Sequence, residues 1–125
     1  IMVIGIGTDI VQIDRIAKVI ERQGVKFAHR ILTPAEQQEF TRLDNSVAFL
    51  AKRFAAKEAV AKALGTGIGH GVSFQDINVI NDNKGAPAIS LSGGAETVMR
   101  RRGGSQVLLS LADEAQYAIA YAVLT

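Results

Sequence analysis

The chain has 125 residues, 48% of them hydrophobic, and a formal net charge of +2. That is enough apolar material for one ordinary hydrophobic core, which excludes a disordered chain, and too little charge for a dedicated nucleic-acid binder. The lack of Cys excludes a disulfide framework and thiolate chemistry, so any metal must be held by oxygen or imidazole ligands.

Ile1 is set aside from the fold argument. Met2–Thr8 mixes Met, Val and Ile with Gly and predicts a short strand. This start has no basic n-region and meets Asp9 early, so no secretory signal is expected and the protein is expected to be cytoplasmic. Ile13, Ile16, Ala17 and Ile20 recur at helical spacing and predict a helix over Ile13–Arg22, ended by Gly24. Phe27–Leu32 reads as a further turn of helix. Thr33-Pro34-Ala35-Glu36 is a helix start: Thr33 caps, Pro34 suits the first position and Glu36 completes a capping box. That helix should run to about Leu43. Asp44-Asn45-Ser46 restarts the pattern, and Val47–Leu64 is the longest helix, stopped by Gly65. Gly then stands at every second position to Gly71, a helix terminus followed by a mobile connection. Ile77–Ile80 and Ala88–Leu91 form a hairpin around Asn81-Asp82-Asn83-Lys84-Gly85. Ser92–Arg102 reads as a helix; Arg100, Arg101 and Arg102 complement its dipole. Gln106–Leu111 and Gln116–Leu124 are the last strands. Tyr117 and Tyr121 alternate with Ala, as core or interface residues. The apolar run near Tyr117–Leu124 is far short of the ~20 residues that span a membrane, so no membrane association is expected. The fold class is α+β in a single domain over residues 1–125, a helix-rich first half with a mostly antiparallel second half.

The long helix carries the chemical signal. With Val47 as zero and about 100° per residue, Leu50, Ala51, Phe54 and Ala61 fall within roughly 60°, and Glu58 at about 20°. A carboxylate in that apolar stripe must be paired or bind a cation. Glu58 with Lys62 at i, i+4 is the plain pairing. Asp9, at the end of the first strand, either caps the next turn or supplies a second carboxylate. Gly5-x-Gly7 begins like a dinucleotide fingerprint, but Ile10 occupies the third Gly position and the match fails. Two carboxylates with Lys57 and Lys62 nearby suit Mg²⁺ and phosphate oxygens. His29 and His70 match no motif.

Gly5-Ile6-Gly7-Thr8-Asp9-Ile10 and the run from Phe54 to Gly67 are similar to the two signature motifs of the 4′-phosphopantetheinyl transferases. Their order and separation resemble those of the small, stand-alone holo-acyl-carrier-protein synthase type. Arg30-Ile31-Leu32-Thr33, Arg53-Phe54-Ala55, Gly71-Val72-Ser73-Phe74 and Asn83-Lys84-Gly85-Ala86-Pro87 extend the likeness over nearly the whole chain. The resemblance implies one long helix packed on a mostly antiparallel sheet. It implies transfer of the 4′-phosphopantetheine arm of coenzyme A to a serine of an apo-acyl carrier protein, in support of fatty acid biosynthesis. It implies that Asp9 and Glu58 hold Mg²⁺ and act with Lys62 in catalysis. Lys62 would contact coenzyme A phosphates, with Lys57 and Gly65 beside it. It also implies a homotrimer with active sites between subunits. Many relatives carry His where Asp113 falls, so no adenine contact is assigned to Asp113.

Acyl carrier proteins are acidic, and Arg15, Lys18 and Arg22 recur at i, i+3, i+7 opposite the Ile13/Ile16/Ile20 stripe. Lys26 and Arg30 continue the trend. These residues form an expected docking face for the carrier protein. The alternative is a non-catalytic module that binds coenzyme A or another nucleotide, which would not need both carboxylates.

Overall fold

In the computed structural model, which describes residues 2–44 and 46–125, one helix is central to the arrangement. Ile1 lies outside the described residues, as does Asn45 of the expected Asp44-Asn45-Ser46 restart. The elements run β1 (Gly5–Gln12), α1 (Ile13–Gln23), α2 (Val25–Ile31), α3 (Pro34–Arg42) and the long α4 (Ser46–Ala63). A short 3-10 turn at Phe74–Asp76 leads into β2 (Ile77–Asn81), β3 (Pro87–Leu91), α5 (Gly93–Arg101), β4 (Val107–Asp113) and β5 (Tyr117–Leu124). The helix-rich first half and antiparallel second half are both present. Gly24, at φ +67, ends α1 as expected. The α3 start is the expected capping box: the Glu36 N–H donates to Thr33 Oγ1 at 3.4 Å, and the Thr33 N–H donates to Glu36 Oε1 at 2.8 Å.

β5 is the middle strand of a three-stranded antiparallel sheet, ordered β1-β5-β4, and β2 and β3 form a separate hairpin. Here β1 differs from the sequence expectation. It begins at Gly5, not Met2, and runs on to Gln12 opposite Tyr117, so Asp9 lies within the strand, facing Ala120 in register. Gly and Asp are poor strand formers, and the strand is defined by its partner β5, which local sequence does not show.

The middle of the face that β1 and β5 turn toward α4 is built of short residues, Gly5, Gly7 and Asp9 from β1 and the fully buried Ala118, Ala120 and Ala122 from β5, with the buried Val11 and Leu124 at its two ends. A Cβ at Gly7 would lie 2.0 Å from the carbonyl oxygen of Ala59, and one at Gly5 would lie 2.1 Å from that of Ala63. The backbone of α4 therefore rests directly on the backbone of β1, which only glycine allows. Other large residues point the opposite way: Ile6, Ile10, Leu108, Tyr117, Ile119 and Tyr121 are exposed on the open face.

The expected stripe on α4 is corrected. The helix is buried almost all round, and Lys57 is more deeply enclosed than Phe54 or Glu58, which are only partly buried. A helix covered on every side carries apolar residues on every side, so periodicity does not identify its inner face. No helix among the described residues is long and apolar enough to cross a membrane.

Gly7→Ala should cost about 2–3 kcal/mol, because the added methyl must push α4 off β1. Urea unfolding measures this, and an unchanged midpoint would contradict the close approach.

Candidate active site

The contact between β1 and α4 brings three of the expected residues together. Lys62, one turn beyond Glu58 on α4, reaches over β1. Its ammonium donates to the Thr8 carbonyl at 2.9 Å and to Asp9 Oδ1 at 3.2 Å. The plain Glu58–Lys62 pair does not form; among the described residues, Lys62 is ion-paired with Asp9. Asp9 is 17% exposed and Lys62 is 49% exposed, so the pair is wet on one side and adds little to stability.

Glu58 lies beside them, half-buried. Burial pushes its carboxyl above the usual carboxylate range, the charge of Asp9 pushes the same way, and Lys62 opposes both. Asp9, Glu58 and Arg15 line one groove of about 390 Å³, whose apolar wall includes Ile16, Phe27 and Phe54. Phe54 is held between Phe27 and Phe74, with ring centroids 6.3 and 5.7 Å away. The groove thus sets two carboxylates and the Arg15 guanidinium against an apolar wall, with Lys62 paired to Asp9 beside it.

The donor set fits a hard cation. Among the described residues no group of three or more His, Cys, Asp or Glu could hold a metal unaided. Two carboxylates in one groove suit Mg²⁺, which usually takes one or two protein carboxylates and fills its other positions with water and substrate phosphate oxygens. A cation between Asp9 and Glu58 would also relieve the repulsion that raises Glu58.

Lys57 is not brought to this site. Its side chain is fully buried, and the ammonium donates to Glu36 Oε1 at 2.6 Å, the Ile31 carbonyl at 2.6 Å and the Phe74 carbonyl at 3.1 Å. All three ammonium hydrogens are thereby used, which leaves none for a phosphate. Burial lowers its pKa and Glu36 partly restores it. Glu36 also accepts from the Val79 N–H at 2.7 Å, so the pair ties α2, α3, α4 and β2 together. Sequence reasoning read Glu36 only as a cap. The available signal was Lys57 itself, a cation in an Ala-rich helix that requires a buried carboxylate.

Gly65 ends α4 at φ +87, and Gly67, Gly69 and Gly71 also have positive φ, at +64, +114 and +87. The alternating glycines are thus a backbone requirement of a defined turn, where a mobile connection was expected. Arg15, Lys18 and Arg22 are exposed on α1 and share a shallow depression, and Arg15 also belongs to the groove. The basic face therefore adjoins the carboxylates. Asp113 is 3.9 Å from Lys52. His29 and His70 are exposed.

A family model described as the 4′-phosphopantetheinyl transferase superfamily matches residues 5–122. The chain belongs to this superfamily. Within it, the chain is 57% identical to the holo-[acyl-carrier-protein] synthase of Shewanella amazonensis over 98% of both chains. It is 51% identical to that of Vibrio vulnificus over 94% of both. The crystal structure of holo-[acyl-carrier-protein] synthase from Neisseria meningitidis superposes with a TM-score of 0.94 at 44% identity, covering 99% of each chain. The Helicobacter pylori holo-[acyl-carrier-protein] synthase, solved in complex with coenzyme A, superposes with a TM-score of 0.84 at 39% identity over 96% of this chain and 99% of that one.

Lys57 and Lys62, on the same helix, should separate cleanly. Lys57→Met strands Glu36 and should cost about 3–5 kcal/mol. Lys62→Met breaks an exposed pair and should cost about 1 kcal/mol or less, while removing transfer activity. Denaturant midpoints measured beside transfer rates test both halves.

Proposed function

We infer that the chain transfers the 4′-phosphopantetheine arm of coenzyme A to a serine hydroxyl of an apo-acyl carrier protein, releasing adenosine 3′,5′-bisphosphate. The observation that carries this reading is that Asp9 and Glu58 share one groove and Lys62 pairs with Asp9 beside it, in a chain similar over its length to holo-[acyl-carrier-protein] synthases. The serine oxygen forms a bond to the pantetheine-side phosphorus as the bond to the bridging pyrophosphate oxygen breaks.

Asp9 and Glu58 would hold Mg²⁺, which when bound neutralises charge on the pyrophosphate oxygens as the leaving group departs. Lys62 stands at the exposed rim, where its ammonium can move from Asp9 to a phosphate oxygen of the donor. Gly65 opens the turn that follows, with no side chain to obstruct the donor. A carboxylate oxygen of the Asp9–Glu58 pair, or a water it orients, takes the serine proton. The apolar wall of Ile16, Phe27 and Phe54 keeps water from one side of the reacting atoms. A non-catalytic coenzyme A module would have no use for two carboxylates in one groove.

Arg15, Lys18 and Arg22 form the docking face for the acidic carrier protein, and their nearness to the groove supports delivery of its serine there. The open face of the β1-β5-β4 sheet, with Ile10, Ile119 and Tyr121 exposed, suits burial against further copies of this chain and supports a homotrimer. The Asp9–Glu58 groove reaches Ile10 on that face, so a neighbouring copy would help to enclose it.

Intact mass spectrometry should show an apo-acyl carrier protein gaining about 340 Da, the mass of one arm, with coenzyme A and Mg²⁺ and nothing with EDTA. Native mass of the same preparation should be three times the 13.3 kDa of the chain. No gain with several carriers would refute the transferase reading. Reversing Arg15 and Arg22 to Glu should raise the carrier-protein KM about tenfold at low salt and leave the coenzyme A KM unchanged. An unaltered carrier KM would remove the docking face.

A further inference from the structure

The last four carbonyls of an α-helix have no partner within it. At the end of α4 each has found one. The Val60 carbonyl accepts from the Leu64 N–H at 2.9 Å, and the Lys62 carbonyl from the Gly65 N–H at 2.9 Å. The Ala61 carbonyl accepts from the N–H groups of Thr66 at 3.2 Å and Gly67 at 3.0 Å. The Ala63 carbonyl is served from elsewhere: Arg102 Nη1 donates to it at 2.9 Å from 39 positions along the chain. Nη2 of the same guanidinium donates to the Ile4 carbonyl at 3.2 Å, just before β1.

This guanidinium stands at a junction of three segments. A Cβ on Gly5 would come within 3.2 Å of Nη1, and one on Gly65 within 3.0 Å. Sequence reasoning gave Arg100, Arg101 and Arg102 to the dipole of their own helix. Arg100 does remain on α5, 3.6 Å from Glu96. Arg102 instead places its charge at the carbonyl end of α4, the negative end of that helix dipole. It thereby ties the end of α4, which carries Lys62 and leads into Gly65, to the start of the strand that carries Asp9.

We propose that Arg102 is a positioning residue for the phosphate donor, holding the Lys62–Gly67 turn and the entry of β1 in one fixed arrangement before the donor arrives. The proposal rests on the function inferred above, in which Lys62 and Gly65 meet coenzyme A. A turn that is already ordered loses less conformational freedom on binding. A turn released from its clasp must be ordered by the donor, so the loss falls on binding before it falls on the chemical step.

The test compares Arg102→Met, Arg102→Lys and the neighbouring control Arg101→Met. Amide hydrogen exchange at Gly65, Thr66 and Gly67 in the free protein is read beside KM and kcat for coenzyme A. For Arg102→Met, exchange should quicken about tenfold and the coenzyme A KM rise about fivefold, with kcat within twofold. Arg102→Lys, which can serve one carbonyl but not both in the same fork geometry, should fall between, and it stands in if the Met variant does not fold. Arg101→Met should match the parent. Unchanged exchange in Arg102→Met, a faster-exchanging turn with an unchanged KM, or an equal effect from Arg101→Met would each overturn the proposal. If the parent protein transfers nothing, the functional reading and the donor role fail together, while the exchange data still decide whether the clasp exists.

Discussion

The contact of bare backbone on bare backbone between β1 and α4 is the constraint on which the site depends. Because Gly5 and Gly7 carry no Cβ, the helix settles onto the strand with the Ala59 and Ala63 carbonyls where side chains would otherwise stand. Lys62 can then span from the helix to the Thr8 carbonyl and Asp9. A helix displaced by even a methyl's width would carry Lys62 and Glu58 away from Asp9. The alanines of β5 continue the same flat floor beneath α4. Small residues here act on catalytic geometry by what they leave out.

The same helix holds Lys57 and Lys62 to opposite ends. Lys57 is dry, with every ammonium hydrogen matched to an oxygen of Glu36, Ile31 or Phe74. It fixes where the neighbouring helices lie, and so where the wall containing Phe27 and Phe54 stands. Lys62 is wet and loosely paired, which leaves it free to exchange its partner. Burial and its cost separate a structural cation from a chemical one of the same residue type.

Much of this was legible in the sequence. The capping box at Thr33–Glu36, the glycine stop after α1, the hairpin and the length of α4 all follow from local chemistry, and the structure has them. Asp9, Glu58 and Lys62 were named from residue type and motif, and the fold gathers them. What was not legible depended on partners distant in sequence. The extent of β1 is decided by β5, so Asp9 was placed past a strand that in fact contains it. The inner side of α4 was misread because a helix enclosed on all sides has no outer face to betray it. Lys57 was assigned to the phosphates because its partner Glu36 lies 21 positions away and was already accounted for as a cap. Of the two readings of Tyr117 and Tyr121, the core one is set aside: they stand on the open face, where the interface reading remains, while their alanine neighbours face the helix.

The pairing of the first strand with the last also bears on how the molecule comes into being. Asp9 sits in an edge strand that, among the described residues, is hydrogen-bonded in its sheet to β5, and the Thr8 hydroxyl reaches a carbonyl 112 positions further along. During synthesis, β1 must wait until β5 has been made before their sheet can close. Pairings of such long range make folding slow relative to helical proteins of similar size. In the interval, α4 has no floor. Catalytic geometry is therefore assembled only once β5 has been made, so a chain cut short before β5 carries the signature residues without a working site.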